Sequence, residues 1–292
     1  MASLTSGDLS GPCTLASTPE TNPSTVAPDD PAITIQFTSI PKLFKEIDAA
    51  TGDILVVQNI SQQDYNDIMH ERDRRRRKFR LKRYYSESQM LIVTIPTMAH
   101  EILHAPLFGY IQAAVIQMGL DDVWYPMATT TYRTQGHPNR DGGEGDSSGG
   151  PIERQGPLWP TLVIEAGYSQ TLVGLRRDMR WWFSASNHQV KIVLLAKLDS
   201  NHGQIIIEKW QEGPSGPRQG ATTTRAAARL EPRRSQLITI SRGSNTAHRV
   251  SRGPLRLEFA LLFLRAPGQG EGDIVVSDTQ LQRVASGVWR IR

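Results

Sequence analysis

Cysteine is nearly absent from this chain. Its one thiol, Cys13, excludes an internal disulfide framework and any cysteine-rich zinc site. A reducing compartment fits that usage. The first residues carry neither a basic n-region nor an apolar h-region, so no secretory signal is expected. Apolar runs long enough to span a bilayer, about 18–20 residues, are also missing, and we expect no membrane association. We read the protein as intracellular, and a basic run favours the nucleus. An overall excess of one charge is also missing, since 33 basic and 29 acidic residues leave a formal net charge of only +4 in 292 residues.

That small value hides an asymmetry. Arg72 to Arg83 holds nine basic residues and one aspartate, so the dodecamer carries +8 and the remainder −4. Three readings of ERDRRRRKFRLKRYY compete. It is a solvated helix extension or loop, a nuclear-import-like patch, or a phosphate-binding strip. In the last, Arg74, Arg75, Arg76, Arg77 and Lys78 neutralise a nucleic-acid backbone while Phe79, Tyr84 and Tyr85 stack on bases.

The chain divides by composition. Residues 1–30 are rich in Ser, Thr, Pro and Gly and read as a disordered tail. Residues 31–83 form an N-terminal extension ending in the basic run, with strands at 33–37 and 53–60, a short helix at 41–47, and a helix at 62–71 capped by Ser61. Residues 84–210 form the core. Gln89 to Ile95 reads as a strand, and Thr97 caps a helix from Met98 to Met118 closed by Gly119. Residues 123–133 read as an edge strand, and 136–150 as a flexible polar loop. A central unit, Trp159 to Leu198, then reads strand, turn, helix, strand. Thr161 to Glu165 is its first strand, broken by Gly167. Ser169 caps a helix whose apolar positions Leu172, Leu175, Met179 and Trp182 recur at helical spacing, and Val190 to Leu198 is a strand buried on both faces. Such a βαβ unit is right-handed and parallel. Gln204 to Trp210 is a strand antiparallel to the last. Residues 211–234 read as a disordered insertion, and 235–292 as C-terminal strands and a helix, 279–289, that pack on the core.

His100-Glu101-Ile102-Leu103-His104 matches the HExxH metalloprotease pattern. The match lies in the first turns of its helix, Pro106 strains the turn that follows, and no downstream His/Glu cluster supplies a third ligand. We read it as a helix start. Glu165 is the stronger signal, a lone acid after four apolar residues, placed where open α/β sheets put their sites. Asp146, in the Gly/Ser-rich stretch before it, can converge with Glu165 on one divalent cation. Mg²⁺ suits such a pair, Mn²⁺ being the second choice. Glu101 adds a further acidic contact.

The succession of a helix bearing His-Glu, an acid, WPTLVIEAG, LRRDMRWW and VKIVLL resembles the restriction-endonuclease-like PD-(D/E)xK superfamily, and most closely a group of fungal proteins with that fold. The resemblance runs from Tyr84 to Trp210 and extends through GPLRLEFALLFLRAPGQGEGD to Trp289. It implies an α/β fold with an αβββαβ core and a mixed sheet flanked by helices. It also implies metal ligands Asp146 and Glu165. The superfamily's lysine, two residues after the glutamate, is Gly167 here. A replacement cation would come from Arg176, Arg177 or Lys191, although Lys191 begins its strand and an arginine can stabilise charge but not act as a base. Two functions follow. One is a metal-dependent nuclease with Asp146, Glu165, Arg177 and Glu101 as its catalytic residues. The other is a catalytically silent module that kept the fold and binds nucleic acid or protein.

Overall fold

The computed structural model describes residues 33–127, 130–134, 140–153, 158–214, 230–243 and 248–291. The expected tail, residues 1–30, lies outside them, as do residues 215–229 of the expected insertion. The fold is mixed α/β, with helices flanking two large mixed sheets.

The N-terminal sheet begins with β1 (Ile33–Gln36), α1 (Ile40–Ala49), β2 (Ile54–Gln58) and α2 (Gln62–Arg74). Ser61 and Asp64 form a reciprocal capping box at the start of α2, so this end falls where the sequence predicts. β3 (Arg80–Tyr85) and β4 (Met90–Thr94) follow. With β6 (Tyr132–Arg133) and β7 (Gly142–Gly143) they complete a six-stranded sheet in the order β1-β2-β4-β3-β7-β6. Leu55, Val57, Leu81, Leu91 and Val93 bury its inner face against Leu43, Phe44, Tyr65 and Ile68 of the two helices. The boundary expected between residues 83 and 84 therefore falls inside β3.

The second sheet holds β5 (Trp124–Pro126), β8 (Ser147–Pro151), β9 (Leu162–Gly167), β10 (Ile192–Asp199), β11 (Gln204–Pro214), β12 (Leu230–Ser241) and β13 (Arg249–Ser251). They run in the spatial order β13-β12-β11-β10-β9-β8-β5. β9 and β10 are parallel, while β8 and β11 are antiparallel to their neighbours. Helix α3 (Met98–Gln117) covers one face and α4 (Leu172–Ala185) the other. Alternation along β9 decides which residues meet which helix. Leu162, Ile164 and Ala166 join the α3 core, Val163 joins the α4 core with Trp182, and Glu165 points to that second face. A small hairpin, β14 (Leu255–Leu257) with β15 (Ile274–Val276), and helices α5 (Phe259–Phe263) and α6 (Asp278–Arg290) close the α3 side.

Several expectations are corrected. The stretch read as a flexible loop contains β7 and β8, and β8 is buried along its length because Ser147 to Gly149 pair with β9. Small residues are needed there, since a Cβ on Gly149 would meet the Trp124 ring at 2.2 Å. The edge strand expected at 123–133 is two strands in two sheets, β5 and β6. The expected insertion begins and ends as a paired ladder, since β11 extends to Pro214 and β12 starts at Leu230. β9 ends at Gly167 as expected, although Gly167 itself still pairs with Lys197. Thr171, not Ser169, caps α4. The helix expected from Met98 to Met118 is borne out, and α3 runs through Pro106 without a break. The missing donor of Pro106 costs one backbone bond, while packing of α3 on β9, β10 and α6 holds the rest.

Leu194, at the centre of β10, is fully buried in the α3 core. Leu194→Ala is expected to cost about 2–5 kcal/mol in chemical unfolding. A loss below about 1 kcal/mol would mean that the α3 face of this sheet is not the main core.

Candidate functional site

Glu165 and Asp146 meet as their strands dictate. β8 and β9 pair Ser147 with Ile164, so Asp146, one residue earlier, falls beside the end of β9. The backbone N–H of Ala166 donates to Asp146 Oδ2 at 2.7 Å. Glu165 is 0% exposed and Asp146 5%. Two buried carboxylates side by side need positive partners, and three residues of β3 supply them. Lys82 Nζ lies 2.6 Å from Glu165 Oε2 and 3.5 Å from Asp146 Oδ2. Arg83 Nη2 is 3.3 Å from Glu165 Oε1, which also accepts from Trp182 Nε1 at 2.6 Å. Arg80 Nη1 donates to Asp146 Oδ1 at 3.0 Å.

The cation is therefore neither Arg176, Arg177 nor Lys191. Arg176 forms a bidentate pair with Glu208, and the charge of Arg177 acts on the Tyr85 hydroxyl at the end of β3. Lys191 precedes β10 at the far end from Glu165, where its backbone N–H bonds Thr161 O. Lys82 escaped notice because it sits 83 positions before Glu165, inside a run whose charge reads as solvated surface. Its alternation with Leu81 and its place in a strand were the signals available. A register shift between Arg80 and Arg83 breaks strict alternation and lets consecutive residues, Lys82 and Arg83, reach the same carboxylate. Arg83 also stacks on Trp181, 3.8 Å from its ring centre, and approaches Asp178 at 3.6 Å. Gly143 of β7 gives that guanidinium its room, since a Cβ there would lie 2.0 Å from Arg83 Nη1 and 2.8 Å from Lys82 O.

Burial alone would strip the proton from Lys82, but Asp146 and Glu165 hold its pKa above the ordinary value. Burial works against the charge on Asp146 as well, yet Lys82 and His100 keep its carboxyl well below the usual range. Glu165 is pushed up by complete burial and by Asp146, against the pull of Lys82 and Arg83.

The first turns of α3 form the other wall. Thr97 caps the helix by accepting from His100 N. His100 Nδ1 lies 3.2 Å from Asp53 Oδ2, and Asp53 is itself held by the backbone N–H and hydroxyl of Ser169. His104 Nδ1 lies 2.8 Å from Ser147 Oγ. The outer nitrogens face inward. His100 Nε2 is 3.1 Å from Asp146 Oδ1, and His104 Nε2 is 3.4 Å from Glu101 Oε2. Arg80 Nη2 lies 3.0 Å from Glu101 Oε1. Burial lowers the pKa of His100, but Asp146 and Asp53 outweigh it and hold it at about 9. His100, Glu101 and His104 offer ligand atoms within 4.8 Å of one another, so this buried group could hold a metal ion. The HExxH stretch, read from sequence as a plain helix start, thus lies against Asp146.

The other residues singled out are elsewhere. Glu144 pairs with Arg72 and accepts from Leu81 N, and Asp141 accepts from Ser86. Arg74 and Arg75 pair with Glu71, and Arg77 with Asp48. Among the described residues Arg76 and Lys78 have no such carboxylate. Both line a groove of about 530 Å³ with Arg75, Arg77, Phe79 and Pro96. Among the described residues no helix is long and apolar enough to cross a membrane.

No protein-family model matches the chain, and no curated protein matches it.

Removing Lys82 leaves two buried carboxylates short of a cation. Lys82→Met is expected to lower stability by about 3–5 kcal/mol at neutral pH. A carboxyl whose folded pKa lies above its unfolded value stabilises the fold at low pH and loses that contribution as pH rises. The deficit of the variant against wild type is therefore expected to narrow as pH falls from about 8 to about 5 and Glu165 takes up a proton. Melting curves across that range check it, and a constant deficit contradicts it.

Proposed function

We propose that the chain is a nuclease-like protein acting on phosphodiester bonds of nucleic acid, built on a restriction-endonuclease-like core. Leaving out β6 and β7, which join the other sheet, the order α3-β5-β8-β9-α4-β10 is in keeping with the αβββαβ order that the resemblance implies. Asp146 stands at the start of the second of those strands and Glu165 in the third. The observation that carries the reading is Lys82 Nζ between the two carboxylates. It supplies from another sheet the cation that Gly167 does not. Gly167 itself has no room for one, because a Cβ there would meet Leu175 Cδ1 at 2.7 Å.

In this reading Lys82 stabilises negative charge developing on a phosphate oxygen or on an attacking water, and Glu165 is a positioning residue that holds Lys82. Arg177 has no part in it. A divalent ion would neutralise the phosphate and lower the pKa of its bound water. Mg²⁺ between Asp146 and Glu165 does not fit the donor set, since both oxygens of Glu165 already face Lys82, Arg83 and Trp182, Asp146 Oδ2 on that side accepts from Ala166 N, and Mg²⁺ needs free oxygens and retained waters. The same saturation favours the second reading, a silent module that binds nucleic acid without cutting it. In both, Arg76 and Lys78 contact the backbone. Their groove ends at Phe79 and Pro96, whose neighbours along the chain lead to Arg80 and α3.

Labelled single- and double-stranded DNA and RNA, incubated with the full chain and Mg²⁺ or Mn²⁺, decide between them. Cleavage is expected, falling about 10²–10³-fold in Lys82→Gln and in Glu165→Gln proteins that retain their far-UV spectrum. A folded wild-type protein that binds these substrates without cutting any supports the silent module.

Binding through the groove predicts a steep salt dependence. Replacing Arg76 and Lys78 by Gln is expected to reduce the slope of log K against log salt by about 0.9 for each duplex-DNA phosphate that is no longer neutralised. An unchanged slope removes the groove from the interface.

A further inference from the structure

We infer that the start of α3 is a binding site for a nitrogen-preferring divalent metal ion of the Zn²⁺ kind, held by His100 Nε2, His104 Nε2 and the Glu101 carboxylate, with Asp146 Oδ1 as the fourth ligand. The two histidines are four residues apart and so share one helix face. Each imidazole has its Nδ1 fixed by a partner outside the helix, Asp53 for His100 and Ser147 for His104. That arrangement sets the ring plane and turns Nε2 toward the common space, as the supporting partners of metal-bound histidines do.

The nitrogens so presented are buried and face only carboxylates. His100 is 0% exposed and His104 2%, and neither Nε2 makes a well-angled hydrogen bond, although Asp146 Oδ1 lies 3.1 Å from the first and Glu101 Oε2 3.4 Å from the second. Two buried imidazole nitrogens aimed at one space lined by carboxylate oxygens are a ready-made ligand set. The three α3 ligand atoms lie within 4.8 Å of one another, against about 3.4 Å between neighbours on a tetrahedral centre with bonds of about 2.1 Å, a gap that small side-chain rotations close. Asp146 Oδ1 is already 3.1 Å from His100 Nε2.

Charge agrees. Asp53, Glu101, Asp146, Glu165 and Asp178 are linked by contacts of 3.6 Å or less to three permanent cations, Arg80, Lys82 and Arg83, and to the two histidines. Metal binding takes the imidazoles in their neutral form, and the five carboxylates and three cations then leave the network two positive charges short, which one divalent ion supplies. Arg80 lies against Glu101 and Asp146, on the carboxylate side, and would compete with the metal for their oxygens without blocking either imidazole. Imidazole selects Zn²⁺ and its transition-metal neighbours over Mg²⁺, whose sites are built of oxygens. The ligand set also departs from the expected Asp146–Glu165 pair, since Glu165 takes no part.

Binding can be measured whether or not the chain cleaves nucleic acid, so failure of the nuclease reading leaves this inference standing. Metal-stripped full-length protein is titrated calorimetrically with Zn²⁺, Mn²⁺ and Mg²⁺, in a Cys13→Ser background. One site is expected, with Zn²⁺ bound more tightly than Mn²⁺ and Mg²⁺ least. His104→Gln is expected to weaken Zn²⁺ by more than about tenfold and to abolish the rise in melting temperature that Zn²⁺ gives the parent. Ser147→Ala, which removes only the support of His104 Nδ1, is expected to weaken it about tenfold and serves if His104→Gln does not fold. His188→Ala/His202→Ala, two histidines outside the site, is expected to bind as the parent does. A parent protein that binds no Zn²⁺ overturns the inference. So does Zn²⁺ binding that survives the His104 and Ser147 substitutions or disappears with His188 and His202.

Discussion

The contact between Lys82 and Glu165 fixes more of this molecule than any other. A carboxylate with no solvent exposure is tolerable only when a charge of opposite sign reaches it, because desolvation costs several kcal/mol per ion. The strand that carries Glu165 has none to offer, since its other residues are apolar or glycine. The cation therefore comes from β3 of the other sheet, and with it come constraints on the chain between. β3 must approach β9, its register must shift so that Arg83 follows Lys82 inward, and β7 must carry a glycine where the guanidinium passes. The two sheets are thus joined by paired charges as well as by chain connection. Neither can move without stranding ions in a dry interior.

That dependence explains what the sequence reveals and what it conceals. Elements with local chemistry are legible. Ser61 with Asp64, Thr97 before α3, the apolar run of β10 and the amphipathic last helix all lie close to where periodicity and capping place them. Glu165 is legible for the same reason, as one acid in an apolar strand. Concealment begins where long-range pairing overrides local character. GGEGDSSGG has the composition of a loop, but its small residues sit where neighbouring strands and rings come close. RLKRYY has the composition of a surface, but its charges are matched by Asp146, Glu165 and Asp178 from other elements.

The basic run is two structures rather than one. In its first part Arg72 pairs with the buried Glu144, while Arg74, Arg75 and Arg77 face carboxylates at the surface, where exposed pairs contribute little to stability. Its second part, from Arg80, is an internal strand. The division falls at Phe79, whose ring packs on Phe44 and anchors the turn between them. A single stretch of sequence thereby supplies both the outward positive charge that would attract a phosphate backbone and the inward charge that holds the acids.

The same division of labour separates two roles that the sequence assigns to one pair of acids. Glu165 commits both oxygens to Lys82, Arg83 and Trp182, and its place on the α4 face of the sheet turns it away from α3. Asp146 lies at the crossing. One of its oxygens accepts from the β9 backbone and faces Lys82, and the other faces Arg80 and His100. Asp146 is consequently the residue through which the ion-pair network communicates with the histidines. A charge arriving at His100 and His104 changes what Asp146 can give to Arg80 and Lys82, and the position of Lys82 in turn depends on what remains at Asp146. Whichever ligand or substrate enters this cluster must therefore act on the pairing that keeps the two sheets together.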